Sequence, residues 1–185
     1  MVAYYDVRVA QDQLAQSRED SEEKARKQAA RIGYLVNSKN GERVSITFYN
    51  RSRDPITNVK FGFEDPGGYV NGVFHQDQML RITQAGIYPC TKLTIALELV
   101  EELGRSVPPG YQSEKRDKSD TYHSYGISFT DVSGNSWTRD NNGDFGRADE
   151  LRRWGETKSK LWDDGYFVSA PQERLLSEKA EHCTA

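Results

Sequence analysis

Cysteine is scarce in this chain, and long apolar runs are missing. The 185 residues include two cysteines, Cys90 and Cys183. A small domain stapled by disulfides needs more cysteines at closer spacing, so we expect two free thiols, as in a reducing compartment. No apolar run approaches the roughly 18 residues that cross a bilayer, and residues 1–10 are too short and too charged for a signal peptide. The sequence therefore predicts a soluble, cytoplasmic protein.

The chain also lacks an excess of positive charge. Its 25 Lys and Arg residues are interleaved with 28 Asp and Glu residues, giving a formal net charge of -3. Nucleic-acid-binding proteins usually carry a basic face or stripe, and the sequence shows none. We therefore expect no nucleic-acid partner. With 36% hydrophobic residues and a mean hydropathy of -0.81, part of the chain must be solvated helix or loop.

Recognisable catalytic motifs are missing as well. There is no nucleophile elbow, no glycine-rich phosphate loop and no pair of zinc-ligand motifs. His75, His123 and His182 are far apart and share no metal-ligand spacing, so surface or edge-strand histidines are favoured over a site. We expect no catalytic residue and no cofactor.

Residues 1–31 are predicted to form a polar N-terminal helix. The stretch 10–31 contains no Gly or Pro and is rich in residues that lose little freedom in a helix. Three acid-to-base pairs at i, i+4 add support, namely Asp20–Lys24, Glu22–Arg26 and Glu23–Lys27. Val7 and Leu14 begin a heptad that fails at Ser21 and Gln28, which favours a connector over a coiled coil.

Residues 32–147 are predicted to form an antiparallel β-sandwich. Val44, Ile46 and Phe48 alternate with polar residues, which is typical of a half-buried strand. The same alternation recurs at Val59, Phe61 and Phe63 after a polar turn. Short strands are also expected near 72–82, 92–100, 122–131 and 135–140, with a long polar loop at 104–121. Strands this short, without amphipathic helices between them, indicate an all-β sandwich.

Residues 148–185 are predicted to be a helical C-terminal extension. An apolar stripe is formed by Leu151, Trp154, Leu161 and Trp162. The stretch 169–172 has the pattern of a capping box with Pro in the first turn, which predicts a short helix through Leu175 and Leu176.

One acidic loop has the spacing of a metal site. Asp140, Asn142 and Asp144 have the i, i+2, i+4 oxygen spacing of calcium loops. The EF-hand pattern requires Gly and Glu where this chain has Phe145 and Leu151. The alternative is a polar turn, since Asn-Gly and Asp favour left-handed backbone and local hydrogen bonds. The turn is favoured, and the three residues are kept as candidate calcium ligands.

Two stretches resemble uncharacterised actinobacterial proteins. Residues 44–56 and 127–139 are similar to an Asn-x-Ser…Pro-Ile/Val turn and a Phe-x-Asp…Gly-x-x-Trp-x-Arg hairpin in an immunoglobulin-like domain of those proteins. Their charged, juxtamembrane-type helix has counterparts here in Gln13-Leu14 and Ser17-Arg18-Glu19. The resemblance implies an immunoglobulin-like sandwich and membrane proximity, but no activity. Because this sequence lacks the membrane span of those proteins, we expect either a soluble relative or a chain in which Met1–Val9 is the remnant of a longer segment.

The sequence thus favours a non-enzymatic protein-interaction or structural module with a protein partner. The alternative is a metal-dependent, calcium-type binding protein or an enzyme that uses the Asp140–Asp144 loop together with His75 or His123.

Overall fold

The protein is mainly β, with two helices, over the residues that the computed structural model describes. These are residues 2–64, 69–70, 73–74, 79–106, 123–147, 166–181 and 183. The helices are α1 (Val2–Ala29) and α2 (Leu97–Arg105). The strands are β1 (Ile32–Lys39), β2 (Glu42–Asn50), β3 (Ile56–Glu64), β4 (Tyr69–Val70), β5 (Val73–Phe74), β6 (Met79–Ile87), β7 (Thr91–Ala96), β8 (His123–Thr130), β9 (Ser136–Asp140), β10 (Phe145–Arg147), β11 (Tyr166–Ser169) and β12 (Leu176–Lys179).

The strands form two main sheets. Sheet A has the order β1-β2-β7-β12 and is antiparallel throughout, while sheet B has the order β10-β9-β8-β3-β6-β11. In sheet B only β11, which runs parallel to β6, departs from antiparallel pairing. β4 and β5 pair with each other. The prediction of a mainly β fold is confirmed.

Alternating apolar residues build the core between the sheets. Ile46 and Phe48 of sheet A and Phe61 and Phe63 of sheet B are at most 1% exposed. The rings of Phe48 and Phe61 stack with their centroids 3.7 Å apart, which joins the two inner faces. Val44 continues the alternation but is 41% exposed, because it lies near the end of the β1–β2 hairpin.

The predicted polar turn after β2 is a buried corner. The Asn50 amide donates to the carbonyls of Asp54 at 2.8 Å and Ile87 at 3.2 Å. Its Oδ1 accepts the backbone N–H and the hydroxyl of Ser52. Asn50 and Ser52 are at most 1% exposed. Buried polar groups need such partners, and these bonds fix the corner where the chain crosses from sheet A to sheet B.

The predicted N-terminal helix is confirmed. α1 spans Val2–Ala29 and ends shortly before the predicted end at residue 31. Residues 10–24 are exposed, and contact with the core is made by the last turns, where Ala29 is buried. The Glu23–Lys27 pair forms at 2.6 Å. Neither helix in the described part of the chain combines the length and the apolar character needed to cross a membrane.

The predicted strand at 92–100 is only partly right. β7 ends at Ala96, and α2 follows at once. Leu97, Val100 and Gly104 lie three and four residues apart and are buried, which is the helical period. Of the strand predicted at 72–82, β5 covers Val73–Phe74, and β6 begins at Met79 and continues beyond the predicted end to Ile87. Residues 72 and 75–78 lie outside the described residues.

The short helix predicted through Leu175 and Leu176 is wrong. Residues 172–174 form a single 3-10 turn, and β12 follows as the edge strand of sheet A. β11, just before this turn, pairs with β6 of sheet B. Both strands are short pieces whose pairing depends on partners distant in sequence, so local capping signals misassign them. The Leu151–Trp162 stripe lies outside the described residues.

The expectation of two free thiols is also wrong. Cys90 and Cys183 form a disulfide with a Cα–Cα distance of 5.4 Å and a sequence separation of 93. Cys90 follows β6 in a turn, and Cys183 lies just beyond β12. A pairing across this separation is set by the tertiary fold, so cysteine spacing alone does not reveal it. The cysteines therefore no longer favour a reducing compartment.

The inter-sheet ring stack should dominate the stability of this fold. We expect Phe48→Ala to lower the free energy of unfolding by about 3–5 kcal/mol, because it removes a fully buried ring and leaves a cavity. Leu35→Ala, on an exposed strand position, should change it by no more than about 0.5 kcal/mol. Urea unfolding of both variants measures the difference. Equal losses would contradict this placement of the core.

Candidate functional site

The acidic loop is the tight turn between β9 and β10. Asp140 Oδ1 accepts the backbone N–H groups of Asn142 at 3.0 Å and Asp144 at 2.9 Å. The Asp140 carbonyl accepts the N–H of Gly143, which has φ +87°. Asp140 is 7% exposed, whereas Asn142 and Asp144 are exposed. The spacing that suggested calcium ligands is thus also the spacing of a turn closed by its first side chain.

The preceding turn, between β8 and β9, has the same geometry. Asp131 Oδ1 accepts the backbone N–H groups of Ser133 and Asn135, each at 2.9 Å. Gly134, at φ +83°, donates its N–H to the Asp131 carbonyl at 3.0 Å. Two copies of one turn therefore occur in succession, each with Asp first and Gly fourth. Asp and Gly at these positions are what such turns require.

Asp131 also holds the following strand. Its Oδ2 accepts the indole N–H of Trp137 at 2.8 Å and the side-chain amide of Asn135 at 3.0 Å. Partial burial raises the pKa of the Asp131 carboxyl, but the hydrogen bonds from Trp137, Asn135 and Ser133 lower it more, so this pKa lies below its usual value. The Asp131 charge is stabilised within the hairpin, which gives this carboxylate a structural role.

A metal cluster is not visible in the part of the chain that is described. There, no group of three or more His, Cys, Asp or Glu side chains is arranged to hold an ion. His75 and His182 lie outside the described residues, as does the side chain of His123, so the suggested partnership of His75 or His123 with the loop stays a prediction. Calcium binding by Asp140, Asn142 and Asp144 also stays a prediction.

The open edge of sheet A is the second candidate site. Among the described strands, β1 pairs with β2 alone. The Arg31 carbonyl accepts the N–H of Arg51 on the β2 side. Because backbone groups alternate along an antiparallel strand, Gly33 and Leu35 face β2, while Tyr34 and Val36 direct their N–H and C=O groups to the open side.

The side chains along this edge are uncharged and partly exposed. Leu35 is 55% exposed on the outer face of sheet A, and Val36 is 40% exposed on the other side of the strand. Tyr34 packs on Phe48 with ring centroids 5.8 Å apart, which anchors the middle of β1. Residues 32–38 contain no charge. Natural edge strands usually carry charge, Pro or a bulge to discourage pairing, and here the bulge comes late, between Asn37 and Ser38.

Cations lie at both ends of this uncharged edge. At the start, Arg139 donates from Nε to the Ile32 carbonyl at 3.2 Å and from Nη2 to the Ala30 carbonyl at 3.3 Å. At the other end, Lys39 and Arg43 are exposed on the β1–β2 hairpin, beside the single acid Glu42. Each end of the β1 edge therefore carries at least one cationic side chain.

A polar ladder fixes the outer face of sheet A next to Leu35. The Asn37 amide donates to the hydroxyls of Ser45 at 3.0 Å and Thr47 at 2.8 Å. The Thr47 and Thr94 hydroxyls share a hydrogen bond of 2.9 Å. Cross-strand bonds of this kind stabilise a sheet, so β1 is held in a defined position although one side of it is open.

The other described edges are less suited to pairing. β10 has three residues and β11 has four. β12 carries Glu178 and Lys179 and lies beside the disulfide. β1, with eight residues, is the longest of these edge strands. Sequence reasoning did not single out Leu35 and Val36, although an uncharged run before Asn40-Gly41, a hairpin dipeptide, was the available signal.

No protein-family model, curated protein or solved structure matches this chain.

The two turns have the same geometry, so substitution of the first Asp in each one tests whether the Asp140 turn binds calcium. We expect Asp140→Ala and Asp131→Ala each to lower the free energy of unfolding by about 0.5–2 kcal/mol, because each removes a side-chain cap of two backbone donors. Millimolar calcium should leave the melting temperature of the unmodified protein unchanged, as measured by thermal melting. A rise in melting temperature that Asp140→Ala abolishes and Asp131→Ala retains would establish the calcium site instead.

The Asp131 carboxylate should make stability depend on acid pH. Its pKa is lower in the folded state than in the unfolded chain, so its contribution is complete above the unfolded value of about 3.9 and is lost as pH falls through the folded value. The difference in unfolding free energy between the unmodified protein and Asp131→Asn should therefore become smaller as the pH falls. Urea unfolding at a series of pH values measures this, with Asp12→Asn on exposed α1 as the charge control. A difference independent of pH contradicts the prediction.

Proposed function

We propose that this chain is a non-enzymatic interaction module that binds an extended segment of a protein partner along β1. The observation that carries the proposal is the side of β1 at Tyr34 and Val36, where no described strand pairs, with exposed Leu35 between these two residues. An extended peptide that joins a sheet edge gains main-chain hydrogen bonds for affinity and side-chain contacts for specificity. The polar ladder from Asn37 to Thr94 supports this role, because a fixed edge needs little ordering when it binds.

The charges along the edge define the chemistry of the partner. Arg139 lies at one end and Lys39 at the other, with an uncharged stretch between them. A complementary segment has small apolar or β-branched residues in its middle and an acidic residue near each end. A second copy of β1 in antiparallel register around Leu35 would bring Arg31 opposite Lys39, and like charges placed opposite each other are destabilising. The edge therefore fits an acidic-ended peptide better than it fits itself.

Because side chains alternate along a strand, the partner segment would contact both faces of sheet A. Residues on one face would lie beside Leu35 on the outer face of sheet A, and residues on the other would lie beside Val36 and the rim of the core. Leu35 and Val36 are the contacts that we assign to specificity, while Tyr34 and Val36 supply the backbone hydrogen bonds.

The resemblance to actinobacterial proteins adds two further proposals. We propose an immunoglobulin-like arrangement of the sheets, supported by their face-to-face packing and by the crossing of the chain between them after β2 and after β6. We also propose that α1 connects the sheets to a membrane-proximal setting. The exposure of residues 10–24, which extend beyond the packed last turns of α1, supports the connector role.

A short synthetic peptide tests the edge directly. The probe alternates threonine and valine and carries aspartate at both ends, and the control peptide carries lysine at the ends. We expect the aspartate probe to shift the amide resonances of Tyr34 and Val36 and to protect them from hydrogen exchange. The lysine peptide should bind at least about threefold more weakly at low salt, because surface charges are less screened there.

Proline substitutions supply the matched variants. Val36→Pro removes a donor that faces away from β2, so the fold should be retained and peptide binding lost, since Pro is tolerated on open edges. Val132→Pro changes another exposed valine, at a turn position that accepts Pro, and should bind as the unmodified chain does. Unchanged binding by Val36→Pro, or protection elsewhere than β1, would overturn the proposed edge. Equal binding of the two peptides would overturn the acidic-ended partner.

A further inference from the structure

The opposite edge of sheet A is closed by a strand with few contacts of its own. β12 pairs with β7 over Leu176–Lys179, and all four of its side chains are exposed. Lys92 and Glu178 form a partly exposed ion pair at 3.2 Å, and such pairs contribute little. β12 therefore adds backbone hydrogen bonds to sheet A and almost nothing to the core.

The attachment of β12 is concentrated at its two ends. On one side, Leu175 is 7% exposed, and Arg174 contacts both Glu102 carboxylate oxygens at 2.8 Å in an exposed pair. On the other side, Ala180 is buried and donates its N–H to the Cys90 carbonyl at 2.7 Å. The Cys90–Cys183 disulfide follows, as the covalent link between this end and the turn before β7.

The two halves of the disulfide are held differently. Cys90 donates its N–H to the carbonyl of Ser52, in the buried corner, and adopts a left-handed φ of +55°. Few non-glycine residues adopt this conformation without a surrounding structure that fixes it. Cys183 lies beyond the exposed strand, and both cysteine residues are partly exposed.

We infer that the Cys90–Cys183 disulfide is a redox-sensitive clasp that holds β12 against β7. Reduction by a dithiol releases β12 with its flanking Leu175 and Ala180, while the paired strands of sheet B and the β1–β2–β7 part of sheet A stay folded. The inference goes beyond the proposed β1 function, because it concerns the opposite edge and does not need a partner.

Reduction of the Cys90–Cys183 bond proceeds by thiol–disulfide exchange. A thiolate of the dithiol attacks one sulfur of the Cys90–Cys183 bond, and the other sulfur leaves as a thiolate that takes up a proton. The second thiol of the dithiol then displaces the bound cysteine sulfur, which is protonated in turn. Two electrons pass to the cysteine pair, giving two protein thiols and one oxidised dithiol. Among the strands that the structure describes, the redox state thus determines whether sheet A has one unpaired edge or two.

Hydrogen exchange on the full chain tests the clasp. After reduction with dithiothreitol and alkylation of both thiols, we expect the amides of β12 and Ala180 to exchange at least about tenfold faster, because the restraint that keeps them paired is gone. The amides of β3, β6 and β8 should keep their protection. Cys90→Ser combined with Cys183→Ser should give the same pattern without a reductant.

Glu178→Gln, with the disulfide intact, is the matched control, and it should leave β12 protected because the ion pair is not what holds the strand. Unchanged β12 exchange after both thiols are alkylated would show that backbone pairing alone keeps the strand in place and would overturn the clasp. Loss of protection throughout β3, β6 and β8 would also overturn it, since the disulfide would then support the whole fold.

Discussion

The stacking of Phe48 on Phe61 is the contact on which the rest of the structure depends. It joins the inner faces of the two sheets, and the buried Asn50–Ser52 corner lies directly after Phe48, where the chain leaves sheet A for sheet B. Tyr34 also packs on Phe48 and fixes β1 at the edge of sheet A. Close packing of large apolar rings provides most of the driving force for such an arrangement. The corner then lets the chain cross without leaving buried polar groups unsatisfied.

Residues of the two stretches 44–56 and 127–139 have structural roles. Asn50 and Ser52 form the buried corner, and Asp131 caps a turn while it accepts the indole N–H of Trp137. Arg139 ends the second stretch and binds the carbonyls that lead from α1 into β1. These residues hold strands and corners in position. The proposed interaction depends instead on Leu35 and Val36, which belong to neither stretch.

The two edge strands of sheet A differ in length, charge and attachment. β1 is long, uncharged in its middle and firmly anchored through Tyr34 and Asn37. β12 is short, exposed and held by a disulfide. An open edge is an aggregation risk unless it is used or protected, and in an antiparallel self-pairing around Leu35 the like charges of Arg31 and Lys39 would oppose the pairing of β1 with its own copies. In the proposed function, the cations at the ends of β1 also favour a partner segment with acidic ends.

The sequence by itself determined the features that depend on neighbouring residues. The polar helix, the alternating strands around Phe48 and Phe61, and the Asp140 turn all follow from periodicities or bonds within a few residues. The tertiary structure decided what depends on distant partners. The pairing of β12 with β7, the Cys90–Cys183 bond across a separation of 93, and the open side of β1 are set only when the sheets assemble. Local pattern fixes which face of a strand is apolar, but which strand lies beside it depends on contacts between segments far apart in the chain.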